Sequence, residues 1–204
     1  MTEIWFVRHG QTDWNVAHRF QGQIDTPLNA TGLAQARALA ETLVGHEFSA
    51  LYSSDITRAH QTAEIISARL GLPIQIETRL REIGQGNWED LTLEGVALRY
   101  PDEMRAVIRD PAGSRAHGGE SYNDVAIRAI AAADAMAAAH PGQRILAVSH
   151  AVTIASIICV AGHIPISELG YRTPGNASPT ILRWPPEDVE TARTFLSAAS
   201  LSLK

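Results

Sequence analysis

Apolar residues fall in short runs that alternate with longer stretches of helical spacing. Ile4-Trp5-Phe6-Val7 predicts a first strand over Glu3–Val7. Thr31-Gly32 opens a helix to about Val44, with Leu33, Ala36, Ala40 and Leu43 on one face and Gly45 as its stop. Ala50-Leu51-Tyr52 predicts a second strand, and Arg58–Leu70 a helix that Gly71 ends. Ile74-Gln75-Ile76 alternates and predicts a third strand. Thr92 caps a short helix through Arg99, ended by Pro101, and Asp110–Gly119 reads as a loop. Ser121–His140 is a long alanine-rich helix closed by Pro141-Gly142. Ile145-Leu146-Ala147-Val148 is a fourth strand, followed by a helix through about Val160, and Thr180-Ile181-Leu182 a fifth. The tail after Pro185-Pro186 has no clear pattern.

Strands alternating with helices imply a largely parallel sheet covered on both faces, an α/β fold. The 204 residues are expected to form one domain, 1–204, without repeats or a linker. In such sheets ligands bind beyond the carboxyl ends of the strands. Arg8, His9 and Gly10 follow the first strand, and Ser53, Ser54 and Arg58 the second. Arg79, Arg81 and Glu82 follow the third, and Ser149 and His150 the fourth. Four strands therefore aim two histidines, several arginines and one glutamate at one rim.

Composition narrows the partners. A net charge of −5 lacks the basic footprint of nucleic-acid or anionic-membrane binding. The longest apolar run, after His150, is too short to span a bilayer, and no secretory signal opens the chain, so a cytoplasmic protein is expected. Cys159, the one cysteine, lies in an apolar run and reads as a core thiol. His18, His46, His60, His117, His140 and His163 share no metal-ligand spacing, and HEXXH, Walker A, paired CxxC and GxSxG motifs are absent.

Arginine's planar fork matches phosphate oxygens, so the rim suits an oxyanion. Arg8 and Arg58 would disfavour the imidazolium of His9 and leave a ring nitrogen able to attack phosphorus. His150, if protonated, could donate to the transferring oxygens, and Gly10 would let the backbone approach a ligand. Glu82 suits a proton donor to the leaving oxygen. Trp88 is read as a packing residue in preference to a substrate platform.

These residues sit in motifs that resemble, in order, those of the histidine phosphatase superfamily, the phosphoglycerate mutase-like group. VRHGQTDWN (Val7–Asn15) is similar to its nucleophile motif, and RFQGQIDTPLNATG (Arg19–Gly32) to the segment after it. LYSSDITRAHQTAEI (Leu51–Ile65) resembles the second arginine motif, and RLREIGQGNWEDLT (Arg79–Thr92) the acid motif. HGGESYNDV (His117–Val125) and VSHAVTI (Val148–Ile154) complete the set. The resemblance implies a three-layer αβα sandwich with a mostly parallel sheet. It implies His9 as phosphorylated nucleophile, and Arg8, Arg58 and His150 as the phosphate pocket. Asn15, Gln21 and the N–H of Ala151 would add hydrogen bonds, and Glu82 would be acid and then base. It implies no metal and no cofactor.

The chain departs from the resemblance at Ala151, where many members carry glycine. Alanine keeps the N–H but disfavours positive φ. Glu82-Ile83-Gly84-Gln85-Gly86 and His150-Ala151-Val152 are similar to the phosphatase branch, not to the mutases with their Glu-Arg-His-Tyr-Gly and His-Gly-Asn. A metal-independent phosphomonoester hydrolase acting through phosphohistidine is therefore expected. Its partner would be a small phosphomonoester, with a homodimer left open. The alternatives are a phosphoglycerate mutase and a catalytically inactive phospho-ligand binding protein. Beyond phosphate, Arg19–Ile24, Trp88 and the loop Ala106–His117 are expected to shape the pocket. GQIDT, HGGES and GNAS (Gly175–Ser178) resemble glucosyl-3-phosphoglycerate phosphatases, though similar motifs occur in phosphoserine, α-ribazole-phosphate and broad-specificity members.

Overall fold

The computed structural model describes residues 1–186. The tail beyond Pro186 lies outside the described residues, as does the acidic pair Glu187-Asp188. Five strands form one sheet: β1 (Thr2–Arg8), β2 (Ala50–Ser53), β3 (Ile74–Ile76), β4 (Arg144–Ser149) and β5 (Pro179–Trp184), in the order β3-β2-β4-β1-β5. Among the described residues only β5 runs antiparallel, beside β1.

The side-chain alternation of β1 explains the layers. Ile4 and Phe6 point to one face and Trp5 and Val7 to the other, as a period of two requires. The first face packs under α6 (Tyr122–Ala139) and α7 (Ala151–Ala161), through Ala129, Ala133, Met136, Ile154 and Ile157. The second packs under α2 (Ala30–Thr42) and α3 (Thr57–Leu70), through Leu39, Leu43, Ala63 and Ile66. Alanines along α6 let that long helix lie close to the sheet. The result is the expected αβα sandwich.

Caps set the helix starts. Asn29, not Thr31, begins α2, because its side chain accepts from the Gly32 N–H. Ser121 and Asp124 form a capping box at α6. The short helix α1 (Asp13–Val16) was not visible in the apolar pattern, since none of its residues is buried; Thr12 and Asn15 cap it reciprocally.

One segment departs from expectation. Thr92 caps α4 (Leu93–Arg99) as predicted, but Pro101 does more than end it. Pro101 is the first residue of a further helix, α5 (Pro101–Arg109), where its missing N–H costs nothing. Asp102 and Glu103 at the start and Arg109 at the end complement its dipole. Ala106–Arg109 are therefore helical, and only Asp110–Gly119 is loop. Helices α4 and α5 gather over Trp88, with Val96, Tyr100, Met104 and Val107 around it.

Candidate active site

Sheet register builds the site. β4 lies between β1 and β2, with Arg8 opposite Ser149 and Ser53 opposite Val148. The pairing continues one residue past the strands: His9 N–H donates to Ser149 O (3.0 Å) and Ser54 N–H to Val148 O (3.0 Å). Three chain segments are thus locked side by side as they leave the sheet. They carry His9, Ser54 and His150, and the two imidazole centroids lie 5.2 Å apart.

The His9 ring is oriented by its own chain. Nδ1 is 2.6 Å from Gly10 O, an acceptor only, so Nδ1 carries the proton. Nε2 is then a lone-pair nitrogen, and Arg58 Nε donates to it at 3.3 Å. Burial, then the Arg58 charge, holds the His9 pKa well below the ordinary histidine value. The neutral imidazole expected from the sequence is present, with burial as the larger cause.

Gly10 is required for a different reason from the one expected. A Cβ there would sit 2.5 Å from Gly32 O, and one on Gly32 would sit 2.1 Å from Gln11 O. The two glycines let the strand tip and the start of α2 touch backbone to backbone. Gly10 N–H donates to Thr62 Oγ1, which in turn donates to Arg58 O, tying the tip to α3 as well.

Arg58 has no exposed surface. It donates to Ile24 O (2.9 Å) and Gly22 O (2.7 Å) besides His9. Burial lowers its pKa to about 10, so it remains a cation at neutral pH. Gly22 adopts φ +52°, and a Cβ there would collide with the Glu89 carboxylate, which accepts from Gln23 N–H. Arg8 donates to Pro174 O (2.7 Å), while its buried Nε has no partner.

Both amide residues are held by their oxygens. Asn15 Oδ1 accepts from Thr12 N–H (3.0 Å) and Asn176 Nδ2 (3.3 Å). Gln21 Oε1 accepts from Thr12 Oγ1 (3.0 Å) and Thr26 Oγ1 (2.7 Å). In each case the NH2 end is left to reach an anion.

His150 is fully buried, and its buried Nδ1, like Arg8 Nε, has no partner among the described residues. Its Nε2 lies 2.9 Å from Ser54 Oγ. Burial, followed by Arg58 and His9, keeps its pKa well below normal, which disfavours the protonated ring that the sequence reading made a condition for donation. A neutral ring still donates. Ser54 Oγ already accepts from Ile56 N–H (3.3 Å), so its own proton is available to His150 Nε2. That tautomer places N–H on Nδ1.

Glu82 is almost buried, and its carboxylate lies over the start of α7. It accepts from Val152 N–H (3.2 Å), Thr153 N–H (3.3 Å) and Ile83 N–H (3.0 Å). Ala151 precedes these as the first residue of α7, in helical backbone, so alanine there is unstrained.

Two rim arginines do not join. Arg79 pairs with Glu77, and Arg81 forms a forked pair with Asp55. Trp88 is buried and its indole donates to Glu103 (3.0 Å), a packing role as read from the sequence. Arg19 is paired with Asp90 on an exposed surface. Ser54, Thr12, Thr62 and Asn176 received no role from the sequence, because each acts on a residue far from it in the chain or on a cap no apolar pattern reveals.

One buried and one half-buried arginine, two side-chain amides and a neutral imidazole form an arrangement whose donors suit a tetrahedral oxyanion. The chain matches the model of the histidine phosphatase superfamily (branch 1) over residues 4–195. The chain belongs to that superfamily. It is 37% identical to a glucosyl-3-phosphoglycerate phosphatase of Mycobacterium tuberculosis over 210 residues, 96% of this chain and 93% of that one. It is 34% identical to "Probable phosphoglycerate mutase GpmB" of Photorhabdus laumondii over 158 residues, 78% and 74% of the two chains. A solved mycobacterial glucosyl-3-phosphoglycerate phosphatase with VO3 superposes with a TM-score of 0.80 at 35% identity, covering 89% of this chain and 90% of that one. With phosphatases among both relatives and solved structures, this histidine phosphatase is a phosphoric monoester hydrolase.

Proposed function

We propose that this enzyme transfers the phosphoryl group of a small phosphomonoester to His9 Nε2 and then to water. One observation carries the reading: His9 Nδ1 is fixed on Gly10 O, which leaves Nε2 unprotonated beside the buried Arg58 guanidinium. The bond from Nε2 to phosphorus forms as the ester P–O bond breaks, and the leaving oxygen takes its proton from Glu82. A water then gives its proton to Glu82 and attacks phosphorus. The N–P bond breaks, giving inorganic phosphate and restoring His9.

Arg8, Arg58, the amides of Asn15 and Gln21, His150 Nδ1 and the Ala151 N–H hold the three transferring oxygens. These cations and donors supply the charge that a metal supplies elsewhere, so the reaction is proposed to need no metal or other cofactor. The relatives make glucosyl-3-phosphoglycerate the first substrate to try. Among the described residues no helix is long and apolar enough to cross a membrane. A single domain, cytoplasmic and free of nucleic acid, belongs to the same proposal; light scattering decides whether it forms a homodimer.

Rapid quench with labelled p-nitrophenyl phosphate tests the reading. An acid-labile phosphohistidine, absent in His9→Ala, is the expected result. Label on serine or aspartate would overturn it. A panel containing glucosyl-3-phosphoglycerate, phosphoserine and both phosphoglycerates ranks substrates by kcat/KM.

A further inference from the structure

The segment carrying Glu82 leaves the sheet at β3 and gains no strand partner, so its backbone needs acceptors and donors from elsewhere. Side chains satisfy each carbonyl from residue 79 to 82. Arg79 O accepts from Arg128 Nη1 (2.8 Å), and Leu80 O from Ser149 Oγ (2.7 Å). Arg81 O accepts from Arg128 Nη1 (2.6 Å) and Thr153 Oγ1 (2.7 Å). Glu82 O accepts from Arg128 Nη2 (3.0 Å) and Gln23 Nε2 (3.1 Å). One guanidinium on α6 therefore holds three of these four carbonyls.

Arg128 is itself fixed by Glu120, in the HGGES motif just before α6. Glu120 Oε1 accepts from Arg128 Nε (2.8 Å) and Oε2 from Arg128 Nη2 (2.9 Å), a forked pair. The same Oε2 accepts from Gly84 N–H (2.8 Å), and Glu120 N–H donates to Gly84 O (2.8 Å). The pair thus grips the chain on both sides of Glu82: carbonyls 79, 81 and 82 through Arg128, and residue 84 through Glu120. Most of its side-chain surface is covered, so water competes weakly for these bonds.

We infer that the Arg128–Glu120 pair is a positioning unit for Glu82, setting where the carboxyl group meets the leaving oxygen. This rests on the proposed role of Glu82 as proton donor. Among the described residues the hydrogen bonds of Arg128 all go to the acid-bearing segment and to Glu120, and it reaches the cradle only through its charge, felt by His150 after those of Arg58 and His9. The fork matters as well as the charge, since a lysine ammonium is a point donor and cannot span carbonyls 79, 81 and 82 in the same geometry.

Leaving-group dependence tests it. The burst rate of phosphoenzyme formation is measured with phenyl phosphate and p-nitrophenyl phosphate. Phenoxide leaves poorly and needs the proton; nitrophenolate does not. Misplacing a catalytic group by about 1 Å costs on the order of 100-fold. Arg128→Met should therefore slow the phenyl phosphate burst about 10- to 100-fold, the p-nitrophenyl phosphate burst less than about threefold, and leave vanadate inhibition unchanged. Arg128→Lys should fail to restore the phenyl phosphate rate although it restores the charge. Glu120→Gln, a milder change, should shift the same ratio in the same direction if Arg128→Met folds poorly.

The cycle with Glu82→Gln separates the inference from the reading beneath it. If Arg128 acts through Glu82, Arg128→Met adds little to the loss already caused by Glu82→Gln. Equal losses for both substrates in Arg128→Met, full rescue by lysine, or additive losses in the double variant would overturn the positioning role. Equal losses in Glu82→Gln alone would overturn the acid assignment itself, and the inference with it.

Discussion

Ser54 Oγ stands 2.9 Å from His150 Nε2, and this one contact bears on which nitrogen of a buried histidine carries the ring proton. Ser54 reaches His150 because β2 and β4 are neighbours, although 96 residues separate the two. With the serine O–H donating to Nε2, the single proton of the neutral ring sits on Nδ1, which is then a donor without any charge on the ring.

Removing that hydroxyl should therefore cost affinity for the oxyanion. In Ser54→Ala the imidazole loses its buried partner and can place its proton on the wrong nitrogen. An orphaned buried polar group costs about 1–3 kcal/mol, and about 1.4 kcal/mol is tenfold in binding. Vanadate inhibition should weaken by roughly tenfold or more, with nitrogen-15 NMR showing the change of tautomer. Unchanged inhibition with an unchanged tautomer would exclude Ser54 from this role.

The neutrality of the two histidines also predicts a pH signature in stability. His9 and His150 have pKa values well below 6.5 when folded, through burial first and the neighbouring Arg58 second. The unfolded chain takes up protons near 6.5 while the folded one does not. Their contribution to stability is therefore complete above about pH 6.5 and falls as the pH drops toward the folded values, by up to about 1.4 kcal/mol per pH unit for each histidine. Carboxylates with lowered pKa, such as Glu77 beside Arg79 and Asp55 beside Arg81, add losses only below about 4.5 and 3.8. Denaturant unfolding between pH 5 and 7 isolates the histidines. His150→Gln should remove up to about one proton from the slope in that window. An identical slope in that variant would show that His150 titrates normally.

The strands and the residues at their tips were legible because burial leaves a run of apolar side chains that stops where the sheet meets solvent. Arg8, His9, Arg58, Glu82 and His150 are singled out in this way, and the ordered motifs add Asn15, Gln21 and Ala151. Direction was not legible. Arg79 and Arg81 follow a strand just as Arg8 does, but acidic partners at Glu77 and Asp55 turn them away from the cradle. Helix α5 was hidden because Pro101 is a stop signal for the helix before it and an equally good first residue for the next. Gly10 read as room for a ligand, whereas its need comes from Gly32, on a helix whose approach only the folded chain reveals.

Arg58 is where fold and chemistry meet, and its replacement should expose both. Its Nε meets His9 Nε2, while its two terminal nitrogens hold Gly22 O and Ile24 O. The loop that presents Gln21 is thereby tied to the residue proposed to neutralise the phosphate. Arg58→Lys keeps a cation but offers a single point of contact in place of this fork. Losing one transition-state donor of this kind costs on the order of 100- to 1000-fold in kcat. The loop from 21 to 26 should also loosen, so limited proteolysis should cut there faster in the variant. Saturating phosphate should add to the protection of the wild type more than to that of Arg58→Lys. A variant that lost rate but kept wild-type protection would assign Arg58 to the phosphate alone. One that lost protection but kept its rate would make it a structural tether, with the charge for phosphoryl transfer coming from Arg8.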